Sequence, residues 1–353
     1  MVSSSLTVFF IFINLTLAFI KKNIKLLALL MITLMWVLYW GSVENADSKN
    51  YLLLYNHVLE TGRGFFSSEL GFVSLIKLAQ YFGLDYNQFL MIVSFSGLLL
   101  IYRTTSQFFG TDTYIWTLYF IYPFLFDIVQ VRHFLAMSVV IYSMGNLLKG
   151  KRLNYVLGIL IAFSLQFSSI FFLPFVFVYK MRVRSIWLLS IVIISIGMFF
   201  INTSYFQNIL GFFININKLT QYFDNRANWG FFVQWIIQLM YLLPIYWIYK
   251  KLYKNNIYPV VVEMIYKINI YILMMFPVYM INMTSTRIFR MILILNYIVY
   301  AIGFLNLKKN QKYFLFVYIL VLTLGMFVYN IVFLSSETVF YPIFHKNLIL
   351  NSF

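Results

Sequence analysis

Apolar residues dominate this chain in blocks of about 15–22 residues that recur along its whole length. An α-helix rises 1.5 Å per residue and needs about 20 residues to cross the hydrocarbon core of a bilayer. The blocks therefore predict an all-α, polytopic integral membrane protein with about ten transmembrane helices. The predicted spans are residues 6–20, 26–40, 88–102, 114–129, 134–148, 186–201, 232–249, 260–281, 291–305 and 313–334.

Basic residues separate the apolar blocks and set the expected orientation. Cytoplasmic loops of membrane proteins are enriched in Lys and Arg, and here these residues form six short clusters. Placing every cluster inside predicts that both termini lie outside. The clusters are Lys21–Lys25, Arg103, Lys149–Arg152, Lys180–Arg184, Lys250–Lys254 and Lys308–Lys312.

Composition favours a single membrane domain over residues 1–353. Hydrophobic residues make up 62% of the chain, against roughly 45–50% in a soluble domain. The net charge of +16 is explained by the inside loops, so we expect no nucleic-acid partner. The chain has no cysteine and three scattered histidines, so we expect no metal and no cofactor.

One apolar block, residues 153–179, does not fit the simple scheme, because the basic clusters at its two ends both favour the inside. A helical hairpin that breaks near Gln166–Ser169 reconciles them, since polar side chains there could satisfy backbone groups freed at the turn. A re-entrant hairpin and a pair of short kinked helices both fit. A single tilted span with one basic cluster outside also fits.

Two long segments, residues 41–87 and 202–231, are expected at the outer face. The first contains Leu70–Phe82, which is amphipathic and too short to span a bilayer, so we predict an interfacial helix there. The second mixes charged and aromatic residues in a way that a plain connector does not need, and we take its Arg226 as a candidate substrate ligand.

Arginines at predicted outer helix ends are the candidate anion ligands, because ionisable groups near a membrane are costly and often functional. Arg132, followed by His133, could clamp a phosphate with two hydrogen bonds, or form a salt bridge with Asp127. Arg287 and Arg290 share one face of a helix and match a diphosphate. A pair of side chains that extend to the interface is an equally simple account of them.

Two carboxylates are candidate general bases towards a sugar hydroxyl, Asp47 just beyond the second span and Glu69 at the start of the amphipathic segment. Both also have simpler interpretations. Asp47 could cap a helix over Tyr51, and Glu69 could favour a helix N-terminus through the helix dipole.

In order and spacing, these residues resemble the EpsG-like branch of the Wzy-type polysaccharide polymerases over roughly residues 40–345. The family usually has His where this chain has Gln166, so Gln166 is taken as a substrate ligand and not as a proton-transfer group. The family also more often has Pro in place of Leu70. The motifs that carry the resemblance are Asp47 with Tyr51, Glu69-Leu70-Gly71-Phe72, Arg132-His133-Phe134-Leu135-Ala136, Ala162-Phe163-Ser164-Leu165-Gln166, Phe172-Leu173-Pro174, Thr286-Arg287-Ile288-Phe289-Arg290 and Tyr341-Pro342.

The resemblance implies a glycosyltransferase that joins repeat units of a capsule, exopolysaccharide or O-antigen at the outer face of the bacterial cytoplasmic membrane. Donor and acceptor would both be oligosaccharides on undecaprenyl diphosphate, and a flippase and a chain-length regulator are expected neighbours in the bilayer. Asp47, Glu69 and Arg132 are then the catalytic candidates. The substrate ligands would be Tyr51, Arg132, His133, Gln166, Arg226, Arg287 and Arg290. The alternative function is a flippase for the same lipid-linked unit.

Overall fold

The computed structural model describes residues 25–65, 69–109, 113–200, 230–253, 259–281 and 283–349. Every regular element in these ranges is helical, which confirms the all-α prediction for this part of the chain. The predicted first span, residues 6–20, lies outside the described residues. So do residues 202–229 of the second predicted outer segment, including Arg226.

The helices pack into two compact units. Unit 1 contains the described residues up to Ile170 and those from Leu293 onwards, and unit 2 contains Phe171–Ile292. The prediction of one membrane domain stays a prediction. In chain order the α-helices are α1 (Lys25–Trp40), α2 (Ser48–Thr61), α3 (Leu70–Tyr81), α4 (Tyr86–Phe109), α5 (Thr113–Tyr119), α6 (Leu125–Val129), α7 (Val131–Leu148), α8 (Arg152–Leu165), α9 (Phe175–Val178), α10 (Val183–Phe200), α11 (Gly230–Tyr253), α12 (Pro259–Ile272), α13 (Phe276–Ile281), α14 (Arg287–Arg290), α15 (Leu293–Asn306), α16 (Lys309–Phe327) and α17 (Tyr341–His345).

Six stretches of helix are long and apolar enough to cross a membrane, within the described part of the chain. Five further apolar helices overlap predicted spans or the hairpin but are shorter, so the total of about ten crossings stays a prediction. The six are Tyr86–Gln107, Val131–Leu148, Phe231–Tyr253, Val260–Met280, Thr284–Asn306 and Lys309–Phe333. The shorter five are Leu26–Trp40, Thr113–Val129, Arg152–Leu165, Phe167–Val178 and Val183–Phe199.

The core of unit 1 forms where α1, α4 and α7 meet. Gly97 of α4 allows a close helix contact, because a Cβ there would lie 2.3 Å from the ring of Phe134 in α7. That ring is fully buried and packs 4.8 Å from the ring of Tyr39 in α1. Phe134 follows two residues after Arg132, so these contacts fix the start of α7 firmly against the core.

Residues 41–87 form two short helices rather than one. The predicted amphipathic helix is confirmed as α3, which buries Phe72 and Ile76 and exposes Leu70 and Tyr81. The other helix, α2, ends at Gly62, whose φ of +64° allows the left-handed turn that terminates a helix. The sequence indicates α2 only through one interpretation of Asp47, as the cap of a helix that contains Tyr51.

The chain after α2 and the C-terminal segment both brace this region. The Tyr55 hydroxyl in α2 donates to the Leu84 carbonyl at 2.6 Å, and Gln80 Nε2 in α3 donates to the Tyr55 carbonyl at 2.7 Å. On the other side, the Leu348 N–H donates to the Gly41 carbonyl at 2.9 Å. These bonds join segments that are distant in sequence, so α2 has a defined position.

The predicted break in the 153–179 block is confirmed at Gln166. This residue is extended, with φ −151° and ψ 115°, and it ends α8. A 3₁₀ helix, Phe167–Phe172, and the short helix α9 follow. Whether the second part turns back across the bilayer stays a prediction.

Unit 2 contains an ion pair in α12, in which the lysine is buried and the glutamate is half-buried. Lys267 Nζ lies 2.7 Å from Glu263 Oε1 and donates to the Tyr179 carbonyl at 2.9 Å. The Tyr271 hydroxyl donates to the Phe171 carbonyl at 2.6 Å. These two bonds fasten the ends of the segment that contains α9 onto α12.

Candidate functional site

Arg132 lies in the first turn of α7, where the chain restarts after a break. Gln130, with φ −104° and ψ 69°, separates α6 from α7. The first N–H groups of a helix have no partner within the helix, and the helix dipole makes this end positive. An arginine added at the same end makes a corner of unit 1 that favours an anion.

The carboxylate partner of Arg132 is Glu69, 63 residues earlier in the chain. The Arg132 guanidinium donates a hydrogen bond to Glu69 Oε2 and forms an ion pair with it. The Arg132 side chain is 31% exposed and that of Glu69 is 19% exposed. Because most of the pair is shielded from water, salt screens it less than a surface pair.

The tetrapeptide Glu69-Leu70-Gly71-Phe72 builds the contact with Arg132. Glu69 precedes α3 in an extended conformation and makes no side-chain capping bond to that helix. Gly71 lets α3 approach the end of α8, because a Cβ there would lie 2.2 Å from Ser164 Oγ. Phe72 is buried and anchors the same turn. The Gly and Phe therefore position the carboxylate.

Tyr51 forms the floor of the site. The centre of the Arg132 guanidinium lies 5.6 Å from the centroid of the Tyr51 ring, within the range of a cation–π contact. Phe72 packs against the same ring edge to face at 5.8 Å. Burial raises the pKa of the Tyr51 hydroxyl, although nearby Arg132 acts in the opposite direction. Tyr51 is therefore neutral at physiological pH and offers a ring face and an O–H.

Asp47 lies one turn before Tyr51 on the same helix. Its backbone carbonyl accepts the Tyr51 N–H at 3.1 Å, and its side chain makes no capping bond. Within the described residues the Asp47 carboxylate makes no hydrogen bond, whereas a Glu69 oxygen is engaged by Arg132. Of the two acids, Asp47 is therefore better placed to accept a proton.

The sequence profile described as the EpsG family matches residues 25–344. The chain belongs to the EpsG family. Membership fits a membrane protein of polysaccharide biosynthesis, and the family is associated with glycosyltransferase-like polymerases. No curated protein and no solved structure matches the chain.

In this EpsG-family chain the other predicted site residues occupy different places. Gln166 lies two residues after Ser164, so the Gly71 contact brings the end of α8 to the Glu69 end of α3. His133 is 1% exposed and therefore packed into unit 1. Arg287 is half-buried and Arg290 is buried, and both belong to unit 2.

The packing roles of Gly71 and Phe72 could not be predicted from the sequence, because they depend on contacts with α8 and α2. A glycine two residues after an acid is the sequence signal that could have indicated the close approach of α3.

Asp127, the alternative salt-bridge partner of Arg132, is fully buried and accepts a hydrogen bond from the Tyr119 hydroxyl at 2.9 Å. The carboxylate that pairs with Arg132 is Glu69 instead.

Proposed function

We propose that this EpsG-family protein is a polysaccharide polymerase at the outer face of the bacterial cytoplasmic membrane. It would transfer a growing glycan from undecaprenyl diphosphate to a hydroxyl of a new lipid-linked repeat unit. The observation that carries the proposal is Arg132, held by Glu69 and Tyr51 at the positive end of α7. The polymer type, a flippase and a chain-length regulator as neighbours stay predictions.

The proposed reaction exchanges one bond to the anomeric carbon for another. The bond from this carbon to the diphosphate oxygen breaks, and a bond to the acceptor oxygen forms. Asp47 accepts the proton of the acceptor hydroxyl, and the diphosphate leaves with the electron pair. Negative charge therefore develops on the leaving group, where a preorganised cation stabilises the transition state most effectively.

In this mechanism Arg132 binds the leaving diphosphate and Glu69 positions Arg132. The planar guanidinium can bind two phosphate oxygens while a further N–H still contacts Glu69. Tyr51 supports the cation from below through its ring face. Arg287 and Arg290 are proposed as further ligands of the donor or acceptor diphosphate.

Complementation of a deletion strain tests the proposal. We expect Arg132→Ala to reduce polymerisation by roughly 100- to 1,000-fold, as for the loss of one group that stabilises a developing anion. Arg132→Lys should also be strongly impaired, because it keeps the charge but not the two-pronged geometry. Asp47→Asn should lose activity without loss of the protein. Lys149→Ala, an exposed cation at the other end of α7, is the matched control.

The length distribution of the surface polysaccharide is the measurement, with the membrane level of each variant determined in parallel. Single repeat units in the Arg132 and Asp47 variants, with long polymer in the Lys149→Ala control, would support the polymerase. Long polymer in the deletion strain without any complementing gene would contradict it. Long polymer in all variants would refute the roles assigned to Arg132 and Asp47. Loss of even single-unit surface glycan would instead indicate the flippase alternative, because the lipid-linked unit would not reach the outer face.

A further inference from the structure

Unit 1 contains a cleft on the helix that also carries Tyr51. It is an open cleft of about 730 Å³ between α2 and the turn that connects α3 to α4. This volume falls in the range of pockets that bind small molecules, roughly 300–1,000 Å³. The wall formed by α2 is one helical face, with residues at the spacing expected for it, Ser48, Leu52, Tyr55, Asn56 and Leu59.

Polar groups from two helices line this cleft. Asn56 on α2 and Asn87 on α4 both contribute to the lining, and neither amide forms a hydrogen bond with the described residues. An amide offers one acceptor and two donors, which matches the adjacent hydroxyls of a sugar. Lys49 and Asp85 contribute one charge of each sign to the lining. The lining also contains apolar residues, among them Leu52 and Leu84, which suit the C–H faces of a sugar ring.

The cleft is held in shape by bonds that leave the amides of Asn56 and Asn87 unused. Asp85 and Gln88 cap the start of α4 reciprocally, with N–H to oxygen distances of 3.0 and 2.8 Å. Tyr55 donates to the Leu84 carbonyl and packs edge to face on Tyr86, 5.7 Å between ring centroids. A preformed site loses less conformational freedom on binding.

The cleft and the Arg132 site share one helix. Tyr51 lies one residue before Leu52 on α2, so the two sites use neighbouring faces of the same element. Ser48, which lines the cleft, directly follows Asp47 in the chain. A ligand at this end of the cleft therefore lies near the proposed proton acceptor.

We propose that this cleft binds the saccharide part of a lipid-linked repeat unit, with Asn56 and Asn87 as ligands of its hydroxyls. The proposal rests on the proposed function, because it assigns the cleft to the substrate of the neighbouring site. The ligand class is a neutral, hydroxyl-rich glycan, and the half-buried Tyr86 ring offers an apolar edge for its C–H faces.

Direct binding to the purified full-length protein in lipid nanodiscs tests the proposal without requiring catalysis. The probe is the lipid-free oligosaccharide of one to three repeat units, released from the surface polymer of the source strain. Saturation-transfer NMR reports contact, and a titration gives the affinity. We expect Asn56→Ala with Asn87→Ala to weaken binding roughly ten-fold, from the loss of a few hydrogen bonds.

The matched control is Asn50→Ala, an exposed asparagine of α2 outside the cleft, which should bind like the wild type. Each single variant should fall between the wild type and the double variant, which shows that the effect is local rather than a folding defect. Equal affinity in the double variant, or no binding by the wild type, would overturn the proposal. Competition by undecaprenyl phosphate alone would also overturn it, because the cleft would then be a lipid site.

The two proposals fail separately. Saccharide binding to the wild type, together with long polymer in the deletion strain, would refute the proposed function but keep the cleft as a saccharide site. Polymerisation that depends on Arg132, with no saccharide binding in the cleft, would refute the cleft alone.

Discussion

Replacement of Gly71 by alanine tests whether the close approach of α3 to α8 positions Glu69. The added Cβ would lie 2.2 Å from Ser164 Oγ and 2.8 Å from the Ser164 carbonyl carbon. The side chain of Ser164 can rotate away, but its backbone cannot. The carbonyl carbon is about 0.6 Å closer than the 3.4 Å at which ordinary contact begins, so α3 must move by about that distance.

Two opposing effects determine the cost in stability. Overpacking typically costs about 1–3 kcal/mol, whereas alanine in a helix gains at most about 1 kcal/mol over glycine. We therefore expect a net loss on the order of 1–2 kcal/mol. Because a shift of about 1 Å in a catalytic group can reduce a rate by about 100-fold, a movement of this size at Glu69 should reduce polymerisation roughly ten-fold.

The assay combines the surface polysaccharide ladder with thermal unfolding of purified protein. Gly325→Ala is the matched control, since a Cβ in this helical position meets nothing within 4 Å. Adding Ser164→Gly to Gly71→Ala removes the Oγ and Cβ contacts and should restore part of the activity. A wild-type ladder and an unchanged unfolding temperature for Gly71→Ala would refute the reasoning.

Three further predictions concern topology, the ion pair in α12 and Tyr51. Because the chain has no cysteine, a single introduced cysteine reports its own side of the membrane. Lys49→Cys should react with an impermeant maleimide in intact cells, whereas Lys151→Cys should react only after permeabilisation, and reaction of both from one side would contradict the topology. Glu263→Ala leaves the buried Lys267 ammonium without its carboxylate, so it should lower the free energy of unfolding by roughly 1–3 kcal/mol. Denaturant titration measures this change, and an unchanged free energy of unfolding would count against a stabilising role of the pair. Because burial raises the pKa of Tyr51, its hydroxyl stays protonated, and Tyr51→Phe should keep most of the polymerisation activity. The pH profile of polymerisation should match that of the wild type up to about pH 9. A shifted alkaline limb in the variant would show that the hydroxyl titrates in this range.

Local pattern was enough to predict some elements and not others. The apolar spacing of residues 70–82 predicted α3, and the polar run after Leu165 predicted the break at Gln166. Helix α2 entered only as one interpretation of Asp47, because the polar residues of the helix conceal its apolar spacing. Its buried positions are Tyr51, Leu54, Tyr55 and Val58, which follow the helical repeat and could have indicated it.

The pairing of charges was beyond local pattern. Asp127 is near Arg132 in the sequence, and for that reason the two were considered as a salt bridge. Glu69 meets Arg132 instead, because Gly71 brings α3 against α8 and Phe72 anchors it beside Tyr51. Contacts of this kind depend on how helices dock, which one sequence does not specify.

The position of α2 links the two proposed parts of the substrate. A helix of 14 residues is about 21 Å long, and its neighbouring faces carry Tyr51 and the cleft. A lipid-linked sugar has its diphosphate and its glycan at a fixed covalent separation. A rigid helix that carries a surface for each part can therefore align the anomeric carbon with Asp47 before any bond changes, which is the orientation that lowers the barrier to glycosyl transfer.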